Sequence, residues 1–251
     1  MDTTALLLIA LVVYLLAGTV KGVVGIGLPT AAIGMMSQLI QPGTAIALVI
    51  IPMIVTNIWQ VYRCGQVRSS IRRYWRFTLS LAVVISVSSR FATQVSQSAL
   101  MLVMGITIVI FSLDTLWRKP WVLPASYDRI TQYLAGIAGG VMGGFAGIWS
   151  PPMVGYLLAI GVDRDEFVRA LGLLILVGSV FLGIGYWQTG LLTVEIAKVS
   201  VLVTVAALLG FVIGERIRQR LDAARFKKLV LVLFIVMGLN LIRRALVVWP
   251  A

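Results

Sequence analysis

The stretch GGVMGGFAGIWSPPMVGY, residues 139–156, combines six glycines with two adjacent prolines and carries no charge. It lies inside a longer uncharged segment, residues 131–162. An apolar segment of this length is typical of a membrane span, which needs about 20 residues as a helix. Glycine and proline both weaken helices, so the sequence predicts a helix that breaks within a membrane.

The overall composition also indicates a membrane protein. Of the 251 residues, 60% are hydrophobic and only 12% are charged, and the charges fall in short clusters. Soluble domains are about 45–50% apolar. We therefore predict an all-α polytopic membrane protein in a lipid bilayer. The net charge of +12 is interpreted as loop cations that set topology and touch lipid headgroups, with no nucleic-acid partner.

Several kinds of chemistry lack their usual residues in this chain. There is one cysteine, Cys64, and no histidine, so the common ligands of zinc, copper and haem are missing. No nucleophile–base pair and no GxxxxGK[ST] phosphate loop occurs. We expect no metal, no cofactor, no catalytic residue and no enzymatic activity.

A second glycine–proline segment, LAGTVKGVVGIGLPTAAIG at residues 16–34, resembles the first. Four positions match at a constant offset of 122, namely Gly18, Gly22, Gly25 and Pro29 with Gly140, Gly144, Gly147 and Pro151. Each copy precedes three further helical segments. The sequence therefore predicts a first membrane repeat over residues 1–120, a linker over 121–129 and a second repeat over 130–251.

The basic residues predict how the two repeats are oriented. In the first repeat the strongly basic loop, residues 63–76, precedes the third helix. In the second repeat the corresponding loop is nearly neutral, and the following one, residues 216–228, is strongly basic. Positive loops stay in the cytoplasm. The halves are therefore predicted to be inverted repeats, each a broken-helix hairpin plus three transmembrane helices, about eight hydrophobic segments in all.

The connection VDRDEFVR, residues 162–169, follows the second hairpin. Its density of charge is typical of a loop at the membrane surface. We therefore predict that the next helix begins at about Ala170 and ends near Trp187.

The two breaks supply candidate binding residues. Broken helices at matching positions of inverted repeats indicate a transport site, and a helix N-terminus there suits a small anion. Pro29 and Pro151 are expected in the first turn of the second short helix. Gly25, Gly27 and Gly147 are expected to let backbone approach the substrate. Most of the other glycines are expected to serve close helix packing, because many are spaced by four residues.

Four side chains are further candidates. Lys21 is the one cation between two apolar segments; it either attracts the anion or acts in gating, or it snorkels to the interface. Asn57 is expected to hydrogen-bond the ligand or a neighbouring helix. Ser150 is a candidate hydroxyl donor beside the second break, and Trp149 a candidate wall of the cavity.

The sequence resembles one family of permeases through four segments. These are KGVVGIGLP, its counterpart GGFAGIWSPP, then YWQTGLL, and finally GFVIGERIRQRLDAARFKKLVLVLFIVMGLNL. The chain is similar to the sulfite exporter TauE/SafE family from about residue 10 to 245. The resemblance implies a bacterial inner-membrane transporter of sulfite, thiosulfate or organosulfonates, and carries over Gly25, Gly27, Pro29, Gly147, Ser150 and Pro151. The family usually has glycine where this chain has Trp149, and often at Ser150.

The leading hypothesis is a secondary transporter, coupled to protons, of sulfite or a short organosulfonate across the inner membrane of a bacterium. A passive anion channel or uniporter on the same scaffold is the alternative. A membrane enzyme and an assembly factor without transport are two further classes. The expected partners are a small anionic substrate and lipid, and a homodimer is a candidate oligomeric state.

Overall fold

The computed structural model describes residues 3–117, 122–218 and 223–248, and within these ranges helices are joined by short turns, without a strand. The helices of the described residues are α1 (Thr3–Val24), α2 (Leu28–Met36), α3 (Pro42–Cys64), α4 (Val67–Ser88), α5 (Gln97–Trp117), α6 (Asp128–Ala146), α7 (Ser150–Ala159), α8 (Arg164–Gln188), α9 (Val194–Arg218) and α10 (Ala223–Val248). Short 3₁₀ helices cover Ser89–Gln94 and Ala125–Tyr127. The predicted linker, 121–129, is described only from residue 122 onward.

Six helices of the described residues are long and apolar enough to cross a membrane. They are α1, α3, α5, α8, α9 and α10. Helices α4 and α6 have 22 and 19 residues but are more polar, since both begin with charged side chains. The protein is therefore a multi-pass helical membrane protein, whereas the predicted total of about eight membrane segments stays a prediction.

The predicted breaks in the first element of each half are confirmed. Helix α1 ends at Val24 and α2 begins at Leu28, while α6 ends at Ala146 and α7 begins at Ser150. Gly25 and Gly147 have φ angles of 86° and 67°, a region that glycine adopts without the strain of a Cβ atom. Both short helices carry proline in their first turn, where the missing N–H would have no partner in the helix.

The predicted start of α8 at Ala170 is wrong, because the helix begins at Arg164. The Asp163 side chain accepts a hydrogen bond from the Glu166 backbone N–H at 2.8 Å. This contact caps the first turn and supplies a partner for one of its free N–H groups. The charged segment 162–169 is thus mostly helical surface instead of a loop.

Glycines spaced by four residues bring two pairs of helices close together. Helix α1 packs parallel to α9, with Gly18 against the backbone of Ala207 and Gly22 against that of Gly214. Helix α6 packs parallel to α4 in the same way, through Gly136, Gly140 and Gly144. Small residues at this spacing let helix backbones approach closely. The packing role predicted for most of the glycines is confirmed at these positions.

Helices α3 and α8 pack against each other in opposite directions near the centre of the bundle. The Gln60 side chain donates to the Val168 carbonyl at 2.8 Å near one end, while Ile50 faces Gly183 near the other. Helices α5 and α10 are likewise antiparallel, since Gly105 lies against Ile242 and Val109 against Gly238.

Helix α9 is joined to α3 at a proline. Pro52 has no N–H, so the carbonyl of Leu48 lacks its usual partner within α3. The hydroxyl of Ser200 in α9 donates to this carbonyl at 2.7 Å. The proline thereby leaves the Leu48 carbonyl free to accept the hydrogen bond that holds α9 beside α3.

Most of the described basic side chains lie at one end of the bundle. At this basic end α3 and α9 end while α4, α6 and α8 begin. Its described cations are Arg63, Arg68, Arg72, Arg73, Arg76, Arg129, Arg169 and Arg216, with Arg225, Lys227 and Lys228 at the start of α10. The opposite end contains the starts of α3 and α9 and the end of α8.

Candidate functional site

A cavity of about 560 Å³ enters the bundle from the basic end. This size lies within the range of about 300–1,000 Å³ that is usual for small-ligand sites. Helices α1, α3, α8 and α9 supply its walls. Its lining residues are Lys21, Gly22, Gly25, Trp59, Gln60, Arg63, Cys64, Asp165, Val168, Arg169, Phe211 and Glu215.

Lys21 is the buried cation of this cavity. Its side chain is only 2% exposed, and its ammonium donates hydrogen bonds to Thr56 Oγ1 and Asn57 Oδ1, both at 3.0 Å. The Phe211 ring lies beside it, with its centroid 5.9 Å from the ammonium. An ammonium has three protons, and the two acceptors that hold it are neutral oxygens. The positive charge of Lys21 is thus positioned by α3 without being neutralised by these partners.

The position of Lys21 along the bundle places this charge within the apolar thickness. Asn57 lies seven residues before the end of α3 at Cys64, about 10 Å at 1.5 Å per residue. A charge at such depth is costly, and a charged residue placed there is a candidate for function. A snorkelling lysine would instead place its ammonium in water at the interface, whereas that of Lys21 is buried among side chains.

Asn57 and Thr56 are held in place by their own helix. The Asn57 amide nitrogen donates to the Met53 carbonyl at 2.7 Å, and the Thr56 hydroxyl donates to the Pro52 carbonyl at 2.7 Å. These bonds leave the side-chain oxygens of both residues directed at Lys21. Sequence reasoning identified Lys21 and Asn57 separately and missed Thr56, whose only signal was its place next to Asn57.

Charged side chains surround the entrance of the cavity. Arg63 forms an ion pair with Glu215 at 3.2 Å across α3 and α9. Arg169 and Asp165 face the same space from α8, and Arg169 Nε is buried without a hydrogen-bond partner in the described residues. The sequence named none of these four residues as a site candidate, because they lie far apart along the chain and their convergence depends on helix packing.

The first break contributes to the cavity through one glycine. Gly25 lines it, and a Cβ atom added to Gly25 would meet no atom within 4 Å. Gly27 instead faces the side chains of Val20 and Phe234 on another side of the break. Pro29 is buried in the first turn of α2 and does not line the cavity.

The second break lies away from the cavity. Gly147 packs against Ile33 and Ile46, and both Trp149 and Ser150 are 2% exposed within the bundle. Pro151 is buried in the first turn of α7. The structure therefore brings Lys21, Gly25 and Asn57 together and leaves the candidates of the second repeat in a separate, filled region.

A buried charge inside a helical bundle that crosses the membrane several times marks a candidate functional site. Residues 10–241 match the sulfite exporter TauE/SafE family. Because the match covers nearly the whole chain, the protein belongs to this family of membrane transporters. No curated protein and no solved structure matches the chain.

Proposed function

We propose that this protein carries a small sulfur-containing anion, such as sulfite or a short organosulfonate, across the bacterial inner membrane. The observation that carries the proposal is the uncompensated ammonium of Lys21 at the base of the cavity. A substrate oxygen approaching through the cavity would accept a hydrogen bond from the third N–H of the ammonium. Thr56 and Asn57 act as positioning residues, since they fix where the charge lies.

The charges at the entrance support an anionic substrate. Lys21, Arg63 and Arg169 outnumber Asp165 and Glu215 among the residues lining the cavity. A cleft with an excess of one sign of charge concentrates ligands of the opposite sign. The excess is small, so the entrance attracts anions without trapping them.

The helix packing supports an inverted repeat. Helix α3 starts at Pro42 and α8 at Arg164, which is the offset of 122 found between the glycine–proline segments. Equivalent helices α3 and α8 are antiparallel, as are α5 and α10. A two-fold axis that relates antiparallel membrane-spanning helices must lie in the membrane plane. Inverted halves with broken helices are characteristic of secondary transporters.

The charge distribution supports a cavity that faces the cytoplasm. Loops rich in lysine and arginine remain on the cytoplasmic side of the membrane. The basic end would then be cytoplasmic and the opposite end periplasmic.

At that opposite end Arg244 donates to the backbone carbonyls of Ser37 and Gln38, at 2.8 Å and 3.0 Å. These hydrogen bonds hold α10 against the end of α2.

Coupling to the proton gradient is part of the proposal, with Lys21 as the proton-binding group. A neutral lysine would release the anion, so that proton and anion move together. The second candidate is a passive channel or uniporter. It is favoured because the hydrogen-bond partners of the Lys21 ammonium, Thr56 and Asn57, are neutral and include no carboxylate that could exchange a proton with the lysine.

Flux into proteoliposomes tests the proposal and separates the two candidates. The panel is sulfite, thiosulfate, a two-carbon sulfonate, sulfate and acetate, each with and without an imposed pH gradient. A coupled transporter accumulates a sulfur anion only with the gradient. Downhill flux indifferent to the gradient favours a channel, and flux of acetate alone would contradict the substrate class.

A further inference from the structure

The second half contains a modified counterpart of the Lys21 site. The offset of 122 pairs three positions of the first site with three of the second half: Lys21 with Gly143, Thr56 with Gly178 and Gly27 with Trp149. Where the first half has two polar side chains and a glycine at the break, the second half has two glycines and an indole. The backbone differs at one of these pairs as well, since φ is 102° at Gly27 and −122° at Trp149.

The indole of Trp149 fills the space that these two glycines leave. A Cβ atom on Gly143 would lie 2.9 Å from Trp149 Cε3, and one on Gly178 would lie 2.7 Å from Trp149 Cζ2. Larger side chains at positions 143 and 178 are therefore incompatible with the present position of the indole. The ring thus lies against the two positions that the offset pairs with Lys21 and Thr56.

The indole N–H is the second observation that points to a ligand. Trp149 is 2% exposed, and its Nε1 is buried without a hydrogen-bond partner in the described part of the chain. A buried donor that is left unpaired costs about 1–3 kcal/mol. Tryptophan in a packed region usually finds a partner for this group.

We propose that Trp149 is the gate of a second anion half-site, which opens toward the end opposite the basic end. When the indole leaves the space between Gly143 and Gly178, a cavity forms there, and the indole N–H meets the same small anion as a hydrogen-bond donor. In the present structure the first half-site is open and the second is closed. The identity of the ligand rests on the proposed function, whereas the gate does not.

The test uses Ser179 as the reporter position, which lies 122 residues after Asn57 in the sequence. Its side chain is fully buried, and its hydroxyl donates to the Ile175 carbonyl. The native thiol is first removed by Cys64→Ser, and Ser179→Cys is then introduced as a reporter. A membrane-impermeant anionic methanethiosulfonate is added to one face at a time of sealed vesicles, in backgrounds that keep Trp149 or carry Trp149→Phe, Trp149→Val or Trp149→Gly.

The gate predicts labelling that depends on the size of residue 149 and on the face. Trp149→Gly increases the labelling rate about ten-fold or more from the face opposite the basic end, since thiol reactivity follows exposure. Trp149→Val gives an intermediate rate, and Trp149→Phe changes little because the ring still fills the space. Equal rates in all four backgrounds, or faster labelling from the basic end alone, would overturn the gate.

Two controls separate opening of the gate from unfolding and from a wrong substrate. The first control uses proteins in which Cys64 and Ser179 are both unchanged. The labelling rate of Cys64, which lines the first cavity, should be the same with tryptophan and with glycine at position 149. Trp187→Phe, at a side chain that is 56% exposed, should leave the reporter rate unchanged. The predicted labelling without flux of any sulfur anion would support the gate and overturn the proposed function instead.

Discussion

The two glycine–proline breaks share their spacing and a glycine with left-handed φ, Gly25 and Gly147, yet their surroundings differ. Beside the first, Lys21 and Gly25 line a cavity that opens at the basic end. Beside the second, Trp149 is buried and packs against Gly143 and Gly178. Two segments of similar sequence thus lie beside one charged cavity and one apolar, filled region. The comparison indicates that the backbone break provides space and the side chains decide its use.

The largest effect on uptake is expected when the charge of Lys21, which distinguishes the first break from the second, is removed. Lys21→Met keeps the length of the side chain and removes the ammonium. Because hydrogen bonds to charged groups contribute about 1.5–3 kcal/mol, we expect anion uptake to fall at least about ten-fold. The matched control is Lys198→Met, at an exposed lysine of α9 near the opposite end. Uptake that falls equally in both variants would assign the effect to total charge instead of to the site.

A second comparison concerns the equivalent positions Asn57 and Ser179. Asn57→Ala removes one of the two acceptors that hold the Lys21 ammonium, so we expect a several-fold rise in the substrate concentration needed for half-maximal uptake. Ser179→Ala removes a bond to the carbonyl of its own helix and should change uptake little. Concentration dependence of uptake in proteoliposomes measures both variants. Equal changes would remove the functional difference between the halves.

A third comparison concerns stability. Gly25→Ala and Gly147→Ala both place a Cβ atom on a residue with left-handed φ, which costs roughly 1–2 kcal/mol. At Gly147 the new atom would also lie 2.8 Å from Ile33 and 2.9 Å from Ile46, whereas at Gly25 it would meet open space. We expect Gly147→Ala to lower the thermal midpoint of the purified protein further. The reverse order would contradict the packing of the second break.

The smallest effect is expected at the entrance. Glu215→Gln breaks an ion pair with Arg63, whose side chain is 55% exposed, and such exposed pairs contribute about 0–1 kcal/mol. Stability should hardly change, while freeing Arg63 should modestly increase the rate at which anions reach the cavity at low salt. The increase should disappear as salt screens the charges. An increase that persists at high salt would indicate a role other than steering.

The helix breaks and most of the helices could be predicted from the sequence, because short stretches of residues determine them. Glycine and proline at a constant offset predicted both breaks, and apolar length predicted most helices. The start of α8 was wrong because charge in residues 162–169 suggested a loop, while the Asp163 cap makes a helix there. Lys21 and Asn57 were both candidates, but their contact joins positions 36 residues apart, and periodicity within one helix does not predict it.

The role of Trp149 shows a different limit. From the sequence alone, the Trp149 indole was predicted to be a wall of the cavity. Its contacts with Gly143 and Gly178 depend on how α6, α7 and α8 pack together. Comparing the halves position by position would have paired those glycines with Lys21 and Thr56, but the offset alone does not reveal that a ring lies between them.

Direct binding to the purified protein tests the central claim that the Lys21 ammonium holds the anion. Isothermal calorimetry with a two-carbon sulfonate would compare the unaltered protein with Lys21→Met and with Lys198→Met. We predict saturable binding to the unaltered protein and to Lys198→Met, and none that can be measured for Lys21→Met. Equal binding to all three proteins would contradict the site, because the anion would then be held elsewhere.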